Sequence, residues 1–352
     1  MRLRRTLIAA AVLALAAVPA SASASGLIAF TKDTKGGGPN QQIWLAAGDG
    51  SDQSTVGEAK GLEPMISPNG KWIAYMTITD TKTWDTALAF ANVQTGAVTK
   101  TDWACNGPVW SPDSSRVACT PVSQDAKGVM TGGGLWLVTP NLQATEIVKP
   151  KGNSVIGYSF SPDSTWVAYG QQSFPGTIGG GKLRASTIDG SQTLKLGRGS
   201  YPVWGPEQVA FIRTEVDRHG SMPLVRSEVW LIDVLGGPDT AEQLTAYASK
   251  GLVEGPMAGF WTPDGSTIVG TVTGEDLLNP VRINARTGKV RPIGPVNALP
   301  MAVSADGTQA LVVTNQLGGD AGQLYAVPIN GTASSLLIKN VGFASACNTW
   351  QP

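Results

Sequence analysis

Short stretches of β-branched, aromatic and small apolar residues recur along this chain, apolar at alternate positions and separated by clusters of Ser, Pro, Asp and Gly. A period of two is what strands packed between neighbouring sheets require. The segments Pro64 to Tyr75, Pro108 to Cys119 and Tyr158 to Tyr169 are one pattern written three times: an apolar strand, Ser-Pro-Asn or Ser-Pro-Asp, then a strand with Ala at its centre. A fourth copy runs from Phe260 to Gly270, and eroded copies run from Pro202 to Phe211 and from Met301 to Leu311. Anchored on Pro68, Pro112, Pro162, Pro206, Pro263 and Ala305, the copies are 44, 50, 44, 57 and 42 residues apart. That is the length of a four-stranded propeller blade.

Each letter of the repeat has a physical role. Ser, Pro, Asp and Gly in that order suit the successive positions of a type I turn, closing a hairpin between the first two strands. Third strands follow at Gln42 to Leu45, Leu135 to Val138, Glu228 to Asp233 and Gln323 to Val327. Tight turns come next, at Asp49-Gly50, Thr95-Gly96, Asp189-Gly190, Gly236-Gly237, Thr287-Gly288 and Asn330-Gly331, all tolerant of positive φ. A fourth strand then ends the blade, as in Ser335 to Ile338.

The expected fold is all-β: a β-propeller of seven four-stranded blades, with six as the alternative if an eroded copy is a loop. Gly26 to Thr31 matches a second strand that lacks its first, and Val341 to Ala346 stands where a new first strand belongs. The C-terminal strand should therefore complete the N-terminal blade, which removes the open sheet edges.

The N-terminus reads differently. Arg2, Arg4 and Arg5 precede an apolar run from Leu7 to Val18, then Pro19 and a small-residue stretch. That is the layout of a secretory signal cleaved after Ala22 or Ala24, and the run is too short to span a bilayer. The expected organisation is residues 1–24 as signal peptide and residues 25–352 as propeller, secreted or periplasmic, with no transmembrane segment once the signal is gone. Losing three arginines leaves 23 basic against 26 acidic side chains, which argues against a nucleic-acid partner.

Three cysteines are present, Cys105, Cys119 and Cys347, with one histidine, His219. Scattered in this way they make no metal site, and no cofactor is expected. Cys105 and Cys119 bracket a hairpin and are the candidate disulfide, although not directly opposite in the inferred register. The stretch Gly176 to Lys182 imitates a phosphate loop, but Leu183 follows where Ser or Thr is needed. No Gly-x-Ser-x-Gly elbow occurs, and Asn330-Gly-Thr332 is a glycosylation sequon that matters only in a host that uses it.

The repeat resembles the propeller blades of TolB and its relatives, over essentially the whole mature chain. The resemblance implies a scaffold that binds other proteins in the cell envelope. It also reaches propellers that precede peptidase domains and some that form polysaccharide lyases. This chain reads as a stand-alone propeller, without the α/β domain that precedes the blades of TolB.

Function is therefore expected on the face away from the short turns. The long connections there are 31–40, 124–134, 171–182 and 213–226, and loops longer than turns require are functional candidates. The mouth of the central channel on that face is expected to be lined by the residues preceding each first strand: Glu63, Asn106, Tyr158, Tyr201 and Glu254. Aromatic faces with polar tips could grip a peptide or a glycan. The primary expectation is a non-catalytic module for a protein or peptide partner. The alternative is a lyase or hydrolase using the channel-mouth carboxylates Glu63 and Glu254, and a purely structural role is the third reading.

Overall fold

A computed structural model describes residues 26–32, 41–80, 85–124, 130–149, 153–173, 181–217, 224–247, 253–274, 277–314, 322–331, 333–347 and 350–351. Apart from one 3-10 turn at Pro238–Thr240, every regular element among them is a strand. In chain order, β1 (Leu27–Lys32), β2 (Gln42–Ala47) and β3 (Ser54–Lys60) form an antiparallel set without a first strand of their own. Next come β4 (Leu62–Ile66), β5 (Trp72–Asp80), β6 (Asp85–Asn92) and β7 (Val98–Lys100). The following sheet holds β8 (Ala104–Trp110), β9 (Val117–Gln124), β10 (Met130–Gly132), β11 (Leu135–Val138) and β12 (Ala144–Val148), with β10 a short strand on the far end of β9.

Then follow β13 (Asn153–Phe160), β14 (Trp166–Ser173), β15 (Lys182–Thr187) and β16 (Thr193–Arg198), and after them β17 (Ser200–Trp204), β18 (Val209–Asp217), β19 (Leu224–Ile232) and β20 (Glu242–Gln243). The last sets are β21 (Val253–Trp261), β22 (Thr267–Gly274), β23 (Leu277–Asn284) and β24 (Val290–Pro292), and β25 (Ala298–Val303), β26 (Gln309–Thr314), β27 (Gly322–Pro328) and β28 (Ser335–Ala346). The first strands touch in order round a ring: β4 with β8, β8 with β13, β13 with β17, β17 with β21, β21 with β25, β25 with β28, and β28 with β4. The chain is a β-propeller.

The second strand of each blade is buried on both faces, and its letters explain how. Ile73 and Tyr75 face one inter-blade core while Ala74 faces the next. Val167 and Tyr169 against Ala168, and Val209 and Phe211 against Ala210, repeat the arrangement. Large side chains fill one interface, and alanine lets the next sheet approach closely on the other. Full burial of a side chain such as Phe211 contributes about 2–3 kcal/mol.

The turns do more than reverse the chain. In each Ser-Pro-Asp-Gly copy the fourth residue donates back to the first: Gly70 to Ser67 at 2.8 Å, Ser114 to Ser111 at 2.8 Å, Ser164 to Ser161 at 2.9 Å and Gly265 to Thr262 at 2.9 Å. That residue has positive φ throughout, 70° at Gly70 and 68° at Gly265, where glycine is the unstrained choice. Ser114 (φ 62°) and Ser164 (φ 61°) take the same conformation, and their hydroxyls are used. Ser114 Oγ accepts the Asn69 N–H of the preceding blade at 3.0 Å, and Ser164 Oγ accepts the Asp113 N–H at 3.1 Å. Serine there trades backbone strain for a bond between blades.

Closure uses one strand twice. The first half of β28 pairs with β27, and after Asn340 (φ 59°) its second half pairs with β1, Phe30 opposite Ala344 and Ile28 opposite Ala346. The tail beyond β28 then locks the joint. Trp350 is fully buried among Ile28 and Phe30 of the first blade and Ala302 and Leu311 of the last. Its indole N–H donates to the Gly48 carbonyl at 3.0 Å, and its own carbonyl accepts the Ala305 N–H at 3.0 Å. Ala305 occupies the proline position of the sixth repeat. Proline has no N–H, so the departure from the repeat supplies the donor that holds the tail.

Two expectations need correction. Residues 213–226 are mostly hairpin stem, because β18 runs on to Asp217 and β19 starts at Leu224, paired residue for residue; His219 lies outside the described residues. The expected channel-mouth residues do not precede the first strands but lie within them, Glu63 in β4, Asn106 in β8, Tyr158 in β13, Tyr201 in β17 and Glu254 in β21. The reason is a bulge in each first strand, which lets the ladder continue past the position where alternation breaks.

Candidate functional site

The bulge position lies five residues before the turn proline, and it defines the ring. In four consecutive blades it is Glu63, Gly107, Gly157 and Tyr201, with φ of 50°, 56°, 63° and 49°. Ladder registers shift across each of them, between Leu62 and Met65, Asn106 and Val109, Ile156 and Tyr158, and Ser200 and Val203. Left-handed backbone at Glu63 and Tyr201, where no glycine relieves it, is strain maintained by the surrounding sheet, and such positions concentrate at functional sites.

The two glycines decide how the ring is filled. The Tyr158 hydroxyl donates to the Gly107 carbonyl at 2.7 Å, and a Cβ on Gly107 would stand 3.4 Å from that hydroxyl. A Cβ on Gly157 would come within 2.7 Å of Tyr201 Cα and 2.8 Å of Tyr201 Cδ1. Gly157 thus leaves the space into which Tyr201 settles, whereas at Gly107 a Cβ would make only an ordinary contact and the positive φ is what favours glycine. Tyr201 remains 46% exposed, large for an aromatic side chain with no role outside the fold.

Electrostatics connects the members. Glu63 keeps accessible surface, but protein crowded around it displaces the water that would solvate its charge, and this desolvation holds its carboxyl above the usual carboxylate range. Burial raises the Tyr158 phenol strongly, and the nearby Glu63 charge raises it further. Glu63 and Tyr158, on blades separated by the one carrying Gly107, therefore share one electrostatic environment.

Of the five residues expected at the mouth, Glu63 lies near enough to Tyr158 for its charge to act on the phenol, and Tyr201 packs against Gly157, the chain neighbour of Tyr158. Asn106 is beside the ring glycine Gly107, its backbone paired with Thr120. Glu254 is off the ring: Ala258 stands five residues before Pro263, and the Glu254 backbone pairs in parallel with Arg226 of β19. The two ring glycines carry no chemical signal of their own, yet counting back five residues from the turn prolines puts Glu63, Gly107, Gly157 and Tyr201 in one column. Cys105 and Cys119 are juxtaposed as a bridged pair with Cα atoms 5.8 Å apart, Cys105 standing opposite Pro121 in the ladder, so the link is diagonal. Cys347 is buried and accepts the Leu27 N–H at 3.1 Å. Among the described residues no three His, Cys, Asp or Glu side chains gather into a metal-binding group, and no helix is long and apolar enough to cross a membrane.

No family model matches the chain, and no curated protein matches it. Solved structures do. The β-propeller domain of the Trilobed protease from Pyrococcus furiosus superposes with a TM-score of 0.60 at 15% identity, over 90% of this chain and 94% of that one. TolB from Acinetobacter baumannii gives 0.51 at 18% identity, over 91% and 66%. Oligogalacturonate lyase in complex with manganese gives 0.58 at 13% identity, over 90% and 86%. The chain spans 50% of the length of a prolyl endopeptidase that it also matches, and 66% of that TolB. At these identities the similarity is one of fold, and in fold the chain is a TolB-like β-propeller.

Proposed function

We propose that this protein is an exported seven-bladed propeller, residues 25–352 after removal of a signal at residues 1–24, that binds a protein or peptide partner in the periplasm or outside the cell. The partner sits on the ring of Glu63, Tyr158 and Tyr201 and on the connections around it. The observation that carries this reading is the strained, partly exposed Tyr201 set against Gly157, with the desolvated Glu63 acting on the neighbouring Tyr158. An exposed aromatic with two rotatable torsions supplies contact area at low entropic cost, and a carboxylate with displaced hydration binds a peptide N–H or cation without losing that water again.

The test is capture from an envelope extract on immobilised mature protein. Glu63→Gln with Tyr201→Ala should abolish retention of the wild-type partner while the melting temperature stays within ~2 °C, because both side chains are exposed and neither belongs to an inter-blade core. Equal retention by the double variant removes the ring from the site. Cleavage of a polysaccharide by the wild-type protein, with no partner retained, overturns the binding reading in favour of the carbohydrate-active one.

A further inference from the structure

Two arginines from neighbouring blades meet in a cleft of about 290 Å³ lined by Gln172, Arg198, Ser200, Arg213, Glu215 and Trp230. It opens between β14–β16 and β17–β19, on the face where the second strands end. Arg213 is fixed on three sides. Its guanidinium carbon lies 3.9 Å from the centre of the Trp230 ring and 5.3 Å from that of Phe211, and its Nε donates to the Arg198 carbonyl at 3.0 Å. With Nε and the ring-facing side committed, the Nη edge is what remains, and among the described residues it has no hydrogen-bond or ion-pair partner.

The expected counterion is spent elsewhere. Glu228 faces Arg213 directly across the β18–β19 ladder, but its carboxylate takes the Thr245 hydroxyl and the Tyr247 N–H. Covering Trp230 would need one arginine; a second in the same cleft adds like-charge repulsion, which an anionic ligand would relieve. With Arg198 and Arg213 positive and Glu215 negative, the lining carries one net positive charge. That matches a carboxylate better than a doubly charged phosphate, and the planar guanidinium edge matches its two oxygens.

We propose that this cleft binds a peptide carboxylate, taken bidentately by the Nη edge of Arg213 with Arg198 beside it. Ser200 in the lining is followed by Tyr201 on the ring, so the residues leading to the carboxylate can run onto the ring. That direction rests on the function proposed above, whereas the carboxylate site stands without it.

The experiment is an NMR titration of the mature protein, following the Arg213 Nε–H and Trp230 indole N–H resonances. The probes are acetyl-Gly-Gly-Ala with a free C-terminus, the same peptide amidated, and inorganic phosphate. The free acid should give a saturable shift of both resonances in the millimolar range, with the amide at least about tenfold weaker. Arg213→Met should remove the Trp230 shift, and Arg198→Gln should weaken it severalfold. Arg213→Lys, which keeps charge and stem, should bind ~10-fold more weakly because it lacks the fork. No saturable shift up to ~20 mM free acid, or phosphate binding as tightly as the peptide, overturns the proposal. If partner capture depends on Glu63 and Tyr201 but the peptide causes no shift, the carboxylate site falls and the ring stands. Peptide binding with capture indifferent to Glu63 and Tyr201 leaves the carboxylate site standing and removes the ring.

Discussion

Restoring the repeat at its sixth copy separates two accounts of the same residue. Five of the six turns carry proline where Ala305 stands, and a proline that fits its turn ordinarily stabilises by ~0.4–1 kcal/mol through the unfolded chain. By that logic Ala305→Pro is an improvement. The structure predicts the reverse, because the Ala305 N–H is aimed at the Trp350 carbonyl 3.0 Å away. A proline Cδ would stand about 1.5 Å from the nitrogen in nearly the same direction, leaving it about half the ~3.3 Å that carbon and oxygen require. The tail must lift, taking with it a hydrogen bond worth ~1 kcal/mol and part of the burial of Trp350, whose removal from a core would cost roughly 3–5 kcal/mol. A net loss of ~3 kcal/mol corresponds to a fall in melting temperature of roughly 5–10 °C.

Differential scanning calorimetry of Ala305→Pro, Trp350→Ala and the double variant would decide the matter. Trp350→Ala keeps the residue-350 carbonyl but removes the buried anchor that holds it in place, so the tail can move aside and Ala305→Pro should cost no more than about the ~1 kcal/mol of the lost hydrogen bond in that background. A melting temperature for Ala305→Pro at or above that of the unsubstituted protein, or additive losses in the double variant, would refute the reasoning.

Three further outcomes follow from the same geometry. Gly157→Ala combines a positive φ with a contact of 2.7 Å to Tyr201 Cα; it should cost more than ~1 kcal/mol in urea unfolding and shift Tyr201 enough to weaken partner capture. Replacing Cys105 and Cys119 together by alanine should destabilise by about 3 kcal/mol from loss of the link, as expected for a loop of this size, and under reducing conditions only the smaller packing cost of removing two buried sulfurs should remain. Stability against pH should rise and then fall on acidification. Glu63, by the protein crowded around its accessible carboxyl, and Glu228, by burial, are held above the usual carboxylate range, so the folded state gains from protonating them as pH drops through their folded values. The turn carboxylates Asp163, Asp264 and Asp306 are held low by their Ser and Thr hydroxyls and by backbone N–H groups, so their contribution is present above ~pH 4 and is lost as pH falls through their folded values. Melting curves from pH 7 to 2 that fall monotonically from neutrality would contradict the first half of this.

The blade repeat and its turns are legible in the sequence because they depend on local chemistry. The third strand expected at Leu135 to Val138 is β11 itself, and the strand expected at Val341 to Ala346 pairs with β1 as closure required. A turn tetrapeptide or an alternating strand selects its conformation from its own few residues. The candidate site is only partly legible. Glu63 and Tyr201 stand out as a charged and an aromatic residue ahead of a first strand, but Gly107 and Gly157 do not, because a glycine advertises nothing chemically. Glu254 falls outside the column because it stands near the start of β21, four residues before Ala258, where the backbone pairs with β19, a contact between distant segments that no local pattern announces. The hairpin stem within 213–226 is hidden by polar residues that look like a loop, whereas unbroken pairing between β18 and β19 keeps it extended.

The sequence by itself determined an all-β chain of repeated four-strand units, because periodicity and turn chemistry are properties of neighbours along the chain. Only the tertiary structure decided which face of each repeat meets which blade, that the Ala305 N–H holds Trp350, that Tyr158 donates to the Gly107 carbonyl and Tyr201 leans into the gap left by Gly157, and that the Nη edge of Arg213 opens into a cleft between blades. Those facts depend on residues tens to hundreds of positions apart being brought within ångströms, and no local pattern encodes that distance.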